Sequence, residues 1–131
     1  MTLDEVLKKH PLPFELLPYQ VTDINLLAKY PRALLNSCVG SGKTVEATVV
    51  ALMREVPAVL ILVPPILIVQ WELWLKSLNI GKVLAYEGGP SAREKMDLNV
   101  RWIITSYGLF RNDFDRIFKH FVDTDVLTLV D

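Results

Sequence analysis

The feature that most constrains this 131-residue chain is the run Gly-Ser-Gly-Lys-Thr at positions 40–44. It follows the apolar residues Ala33–Leu35 and opens a helix-favouring stretch that we predict to span Lys43–Arg54. Glycines let a backbone turn so that successive N–H groups point inward at a phosphate, and the positive end of the following helix dipole adds to the attraction. This order of strand, loop and helix predicts a phosphate-binding loop whose ligand is a nucleoside triphosphate.

Each residue of the loop has an expected task. The backbone N–H groups of Gly40, Ser41 and Gly42 would surround the phosphates. The Lys43 ammonium would reach the β- and γ-phosphates, and the Thr44 hydroxyl would bind Mg²⁺. A glycine-rich turn that does no more than cap a helix is the alternative explanation of the same residues.

Composition bounds the remaining possibilities. The chain is 51% hydrophobic with a net charge of −1, so it can build a core but has no global basic field to attract nucleic acid. A single cysteine, Cys38, excludes an internal disulfide and fits a reducing, intracellular compartment. We expect no secretory signal, because the acidic N-terminus lacks a long apolar stretch. We also expect no membrane span, because Pro64 and Pro65 interrupt the short apolar run Ala58–Trp71.

Strand and helix patterns alternate along the chain, which predicts a parallel sheet with helices on both faces and a ligand at the carboxyl ends of the strands. The predicted strands are Ala33–Asn36, Ala58–Val63, Val83–Tyr86, Arg101–Ser106 and Val126–Val130. The predicted helices run from Pro18 to about Tyr30, over Lys43–Arg54 and Ile66–Leu78, from a capping box at Ser91, and over Phe114–Phe121.

Asp131 follows the last predicted strand, Val126–Val130. Enzymes with a phosphate-binding loop hold Mg²⁺ partly through an aspartate at the end of an apolar strand. Together with Thr44, Asp131 is therefore our candidate metal ligand, although an aspartate that ends a strand is also an ordinary turn residue.

Five sequence blocks follow one another along the chain: Leu17-Pro18-Tyr19-Gln20, Val39–Thr44, Leu60–Pro64 with Gln70-Trp71, Ile104–Tyr107 and Leu129–Asp131. In this order they resemble the adenine-sensing motif, motif I, motif Ia, motif Ib and the start of motif II in the first RecA-like domain of superfamily two helicases, and most of all in the SWI/SNF-type double-stranded DNA translocases. The resemblance runs from about Leu16 to the last residue and leaves residues 1–15 as an N-terminal lead. The full phosphate-loop pattern is G-x4-G-K-S/T, and this chain has Ser37 at the first glycine position, where a non-glycine is ordinary in this family.

The resemblance implies a fold and a set of roles. Residues 16–131 would be part of an α/β RecA-like P-loop NTPase domain, truncated at motif II, that uses ATP and Mg²⁺ to move on double-stranded DNA. Gln20 would read adenine through its amide, while Lys43 and Asp131 would act in catalysis. Pro64, Thr105 and Ser106 would lie at the nucleic-acid backbone.

The chain also departs from the family pattern, because it contains neither the glutamate of motif II, nor motif III, nor the second RecA-like domain that would be its partner. The strand that normally lies between Ala33–Asn36 and Val126–Val130 would be missing. We therefore expect the 131-residue chain alone to lack ATPase activity and to be marginally stable or self-associating. A nucleotide-binding regulatory module without motor activity is the alternative. A phosphate-loop kinase is a weaker one, since it gives the adenine-sensing and motif Ib blocks no role.

Several other residues have ordinary explanations. We expect Trp71 and Trp74 to pack between helix and sheet rather than to stack on bases. His10 and His120 have no partners at metal-ligand spacing. The cations Arg93, Lys95, Arg111 and Arg116 are expected on solvated faces.

Overall fold

The computed structural model describes residues 1–29 and 43–130, which divide into two compact units, Met1–Glu55 and Val56–Asp131. The predicted strand Ala33–Asn36, the loop residues Gly40–Gly42 and the final Asp131 lie outside the described residues. What the sequence predicts for them stays a prediction.

The described part of the first unit contains the helices α1 (Leu3–Lys9), α2 (Pro18–Ala28) and α3 (Lys43–Arg54). The last two match the sequence prediction. Pro18 is the first residue of α2, where the missing N–H of proline costs nothing because no helical carbonyl precedes it.

Helix α1 lies in the segment that the sequence suggested was a short polar lead. The Thr2 hydroxyl accepts a hydrogen bond from the Glu5 N–H at 3.3 Å and so caps the helix. Acidic residues in the first turn and lysines in the last turn complement the helix dipole. Leu3 and Val6 are buried, so one face of this short helix contributes to the core of its unit.

The second unit is built on a four-stranded sheet. Its strands are β1 (Ala58–Leu62), β2 (Val83–Ala85), β3 (Trp102–Thr105) and β4 (Val126–Val130). Its helices are α4 (Ile68–Leu78), which a 3₁₀ turn at Pro65–Leu67 precedes, α5 (Pro90–Glu94), α6 (Tyr107–Asn112) and α7 (Phe114–Phe121).

Two local predictions need correction. The capping box predicted at Ser91 is wrong, because Gly89 precedes the helix and Pro90 is its first residue, which leaves Ser91 inside α5. Helix α6 was not predicted at all. It forms because the Ser106 hydroxyl accepts a hydrogen bond from the Leu109 N–H at 3.3 Å, a local bond that no hydrophobic periodicity announces.

The strands are parallel and lie in the order β2-β3-β1-β4, which confirms the predicted parallel α/β fold. Leu62 pairs with Thr105 on one side and with Val130 on the other, so the carboxyl ends of these strands meet at one edge of the sheet. In the part of the chain that the structure describes, β4 has β1 as its only neighbour and forms an edge of the sheet.

Helices cover both faces of this sheet. On one face, Ile117 of α7 packs with Leu60, Leu62 and Ile103 in a buried cluster. On the other face, the Trp102 indole N–H donates to the carbonyl of Ile80, directly after α4, at 3.1 Å. Trp102 and Ile103 are adjacent in β3, so their side chains point to opposite faces of the sheet. The helices that they contact, α4 and α7, therefore lie on opposite sides.

Candidate nucleotide site and the carboxyl edge of the sheet

Lys43 and Thr44 are the first two residues of α3, so the predicted loop sequence leads directly into a helix. The Thr48 hydroxyl donates to the Thr44 carbonyl at 2.8 Å, inside the helix. Among the described residues, the Lys43 ammonium and the Thr44 hydroxyl have no hydrogen-bond partner in the first unit. Both groups are half-buried, and their chemistry fits a phosphate and a Mg²⁺ ion.

Gln20 lies in the first turn of α2, the helix that packs against α3. Its Oε1 accepts a hydrogen bond from the Leu17 N–H at 2.8 Å, which fixes the amide at the start of the helix. The side chain is 95% buried, with 5% exposed. The amide Nε2 therefore remains as the donor that could meet a base, and the role of Gln20 in reading adenine stays a prediction.

Glu46 is a buried acid one turn into α3 that the sequence did not single out. It is fully buried, and neither carboxylate oxygen has a hydrogen-bond partner of normal geometry among the described residues. Burial, followed by the negative charge of Asp23 on α2, raises the pKa of Glu46 to about 7. These two acids show that the second turn of α2, just after Gln20, lies beside the first turn of α3.

The second unit carries the residues predicted to meet nucleic acid. Pro64 is exposed and precedes the 3₁₀ turn after β1, where its carbonyl accepts from the Leu67 N–H at 2.9 Å. Since neither Pro64 nor Pro65 has an N–H group, Ile66 supplies the first amide hydrogen of this turn. Ile66 is also the most exposed large apolar side chain among the described residues, at 86%.

Thr105 and Ser106 lie at the end of β3, at the same edge as Pro64. Thr105 is fully buried, and its hydroxyl donates to the Tyr86 carbonyl at 2.9 Å. Ser106 is 6% exposed; its hydroxyl oxygen caps α6, and its hydroxyl hydrogen remains as a donor. Contact of either residue with a phosphate stays a prediction, and the geometry favours Ser106 over Thr105.

The sequence gives no signal for a polar cluster that the structure shows beside this edge. It consists of Tyr86, Arg93, Asp113 and Arg116 and is named the Tyr86 cluster below. Arg93 is 8% exposed and its Nε donates to Asp113 Oδ2 at 2.7 Å, so the prediction of a solvated Arg93 is wrong. The hydrogen bond from Arg93 holds the pKa of Asp113 below its ordinary value, whereas burial raises the pKa of Tyr86.

An open pocket of about 260 Å³ lies over the Tyr86 cluster. Pro90, Glu94, Asn112 and Asp115 complete its wall. Within the described residues, no group of three or more potential metal ligands comes together, and no helix is long and apolar enough to cross a membrane. The Trp71 prediction is confirmed, because this side chain is buried in the second unit.

The parallel sheet, with helices on both of its faces, defines an α/β fold of the RecA-like type. The chain is similar in structure to the SWI2/SNF2 ATPase core of Sulfolobus solfataricus, solved in complex with dsDNA, with a TM-score of 0.64 and 19% sequence identity. The match covers 92% of this chain and 32% of that chain, so this chain spans about a third of its neighbour's length. No protein-family model matches the sequence, and no curated protein does.

Proposed function

We propose that this chain is the nucleotide-binding part of an ATP-dependent DNA translocase of the SWI/SNF type. The observation that carries the proposal is the start of α3, where Lys43 and Thr44 follow the Gly40–Gly42 sequence and form the first turn of a helix packed against the helix of Gln20. The fold similarity to an SWI2/SNF2 ATPase core supports the same conclusion.

In this proposal the residues of the first unit hold the nucleotide. The Lys43 ammonium binds the β- and γ-phosphates, the backbone N–H groups of the loop bind phosphate oxygens, and Gln20 reads adenine. Thr44 and Asp131 would hold Mg²⁺, which would supply positive charge to neutralise the phosphates. Lys43 and Asp131 are thereby the proposed catalytic residues.

The second unit supplies the proposed nucleic-acid edge. Ser106, with Pro64 at the end of the neighbouring strand, would lie along the backbone of duplex DNA. Thr105 would act through the position of its main chain, because its hydroxyl already donates to the Tyr86 carbonyl. A second RecA-like domain is the proposed partner that completes the ATPase site.

Calorimetric titration with ATP and Mg²⁺ tests the nucleotide site. The Lys43→Ala variant should bind ATP more weakly by about 1.5–3 kcal/mol, the range of a hydrogen bond to a charged group. Lys76→Ala is the matched control, because Lys76 is an exposed lysine on α4. Equal ATP affinity of the wild type and Lys43→Ala would contradict the assignment.

The motor itself is tested in a protein that carries both RecA-like domains. ATP turnover should rise when DNA is added, more with duplex than with single strands, and this stimulation should fall with salt. A turnover that no nucleic acid changes would favour a regulatory nucleotide-binding module instead.

A further inference from the structure

Tyr86 bonds to both ends of one short segment, Thr105–Asp113. Its main-chain carbonyl accepts from the Thr105 hydroxyl at 2.9 Å, in a buried hydrogen bond. Its own hydroxyl donates to Asp113 Oδ2. Between these two points lie Ser106 and the helix α6, so one fully buried residue holds the start of the segment through its main chain and the end through its side chain.

Two guanidinium groups support this end of the segment, Arg93 by binding Asp113 directly and Arg116 by binding the Tyr86 hydroxyl. Arg93 donates to Asp113 Oδ2 at 2.7 Å through Nε and to the Gly88 carbonyl at 2.6 Å through Nη1. Arg116 donates to the Tyr86 hydroxyl oxygen at 3.2 Å and to the Met96 carbonyl at 2.6 Å. Buried polar groups that are all satisfied in this way restrain the segments that carry them to one arrangement.

The cluster is suited to positioning rather than to direct binding. Arg93 and Asp113 neutralise each other, and the contacts of Arg116 are to Tyr86 and to main-chain carbonyls. Ser106, by contrast, keeps a hydroxyl hydrogen that can be donated at the carboxyl edge. A hydrogen bond to a phosphate tolerates only a few tenths of an ångström in the donor–acceptor distance, so its strength depends on how firmly Ser106 is held.

We propose that Tyr86, together with Arg93 and Asp113, positions Ser106 for contact with a nucleic-acid backbone phosphate. The inference rests on the proposed function, which assigns this edge of the sheet to nucleic acid. Tyr86 itself does not touch the phosphate. It acts through the placement of Ser106 at the start of α6.

A double-mutant cycle on duplex DNA affinity tests the inference with the 131-residue chain and a fluorescein-labelled duplex, read by anisotropy at low salt. Ser106→Ala removes the hydroxyl that serves both as the donor and as the cap of α6, and should weaken binding about tenfold, as for loss of a hydrogen bond to a charged group. Tyr86→Phe removes only the hydroxyl and should weaken binding about fivefold in the wild-type background. In the Ser106→Ala background it should have less than about a twofold effect, because the two residues act through one contact.

Leu98→Ala is the control for lost stability. Leu98 is buried in the same apolar cluster as Tyr86 but contributes no polar side-chain contact. Below its melting temperature this variant should bind DNA like the wild type. Hydrogen exchange gives a second readout, because Tyr86→Phe should speed amide exchange at Leu109 and Phe110 while the amides of β1 stay protected.

The outcomes separate the two proposals. If Tyr86→Phe weakens DNA binding equally with and without Ser106, or if Leu98→Ala weakens it as much, the positioning role is overturned and the nucleic-acid edge stands. If the wild-type chain has no salt-dependent affinity for duplex DNA, the proposed edge is overturned and the inference falls with it. A Tyr86→Phe effect confined to chains that retain Ser106 supports the inference.

Discussion

Two acids in this molecule, Glu46 and Asp113, have pKa values that are shifted in opposite directions. Glu46 of α3 is fully buried, without a hydrogen-bond partner of normal geometry among the described residues and with the negative Asp23 beside it. Asp113, between α6 and α7, is largely buried but accepts hydrogen bonds from Arg93 and Tyr86. The pKa of Glu46 rises to about 7, whereas the pKa of Asp113 falls.

The contrast distinguishes a largely buried charge that stabilises the structure, Asp113, from a buried acid that destabilises it when ionised, Glu46. A buried charge with a partner holds segments together, while a buried acid without one is costly whenever it is ionised. The costly acid lies on the helix that carries Lys43 and Thr44, and the paired acid lies at the end of α6. Strain of this kind is expected at functional sites more than in structural cores.

The largest expected effect is the loss of the paired acid. Asp113→Ala leaves the buried Arg93 without its charged partner and with only the Gly88 carbonyl as acceptor, so the melting temperature at pH 7 should fall by about 10 °C. Because the pKa of Asp113 is lowered by folding, its stabilisation is present above its ordinary value of 3.8 and is lost as the pH falls through the folded value. The difference in melting temperature should therefore shrink below pH 4. Asp115→Ala, at an exposed position nearby, should change little.

Replacing the unpaired acid, Glu46, is expected to stabilise the folded state rather than to destabilise it. A raised pKa means that the folded state holds the proton more tightly, so the stability of the wild type falls as the pH rises from 4.5 to about 7. Glu46→Gln should remove this loss and raise the free energy of unfolding by about 3 kcal/mol above pH 7, with almost no gain below pH 4.5. Urea denaturation over this pH range measures it, with Glu15→Gln as an exposed control. A gain that does not depend on pH would contradict the interpretation.

A smaller effect is expected within the paired cluster. Tyr86→Phe removes one hydrogen bond but leaves the Arg93–Asp113 pair intact, so the free energy of unfolding should fall by about 1 kcal/mol. Urea denaturation at neutral pH gives the value. A loss as large as that of Asp113→Ala would show that the hydroxyl, rather than the ion pair, holds the cluster together.

The smallest effect is expected at a pair of charges on the surface. Lys76 and Glu72 of α4 lie 3.1 Å apart in i,i+4 spacing, and the Lys76 side chain is exposed. Glu72→Gln should change the free energy of unfolding by less than about 0.5 kcal/mol, because water and salt screen the attraction. A change above 1 kcal/mol would mean that charge pairing alone, without burial, accounts for the stability assigned to Asp113.

The sequence predicted the parts of this molecule that rest on local pattern. Lys43–Arg54 and Val126–Val130 have their predicted bounds, because glycine, proline and turn residues flank apolar runs of the right length. Arg93 was assigned to a solvated face because its partner, Asp113, lies 20 residues away and only the fold brings them together. Glu46 gave no signal either, since an acid in the first turn of a helix is ordinary and its burial depends on how α2 packs.

Sheet order has a consequence for how this chain folds as it is made. β1 is the first strand of the second unit to be synthesised and is buried along its whole length, yet both of its neighbours, β3 and β4, come later in the chain. Its hydrogen bonds therefore cannot be completed until the segment ending at Val130 has left the ribosome. Contacts so distant in sequence slow folding. Until β3 and β4 are made, the apolar Ala58–Leu62 segment stays exposed, and chaperones can bind it during translation.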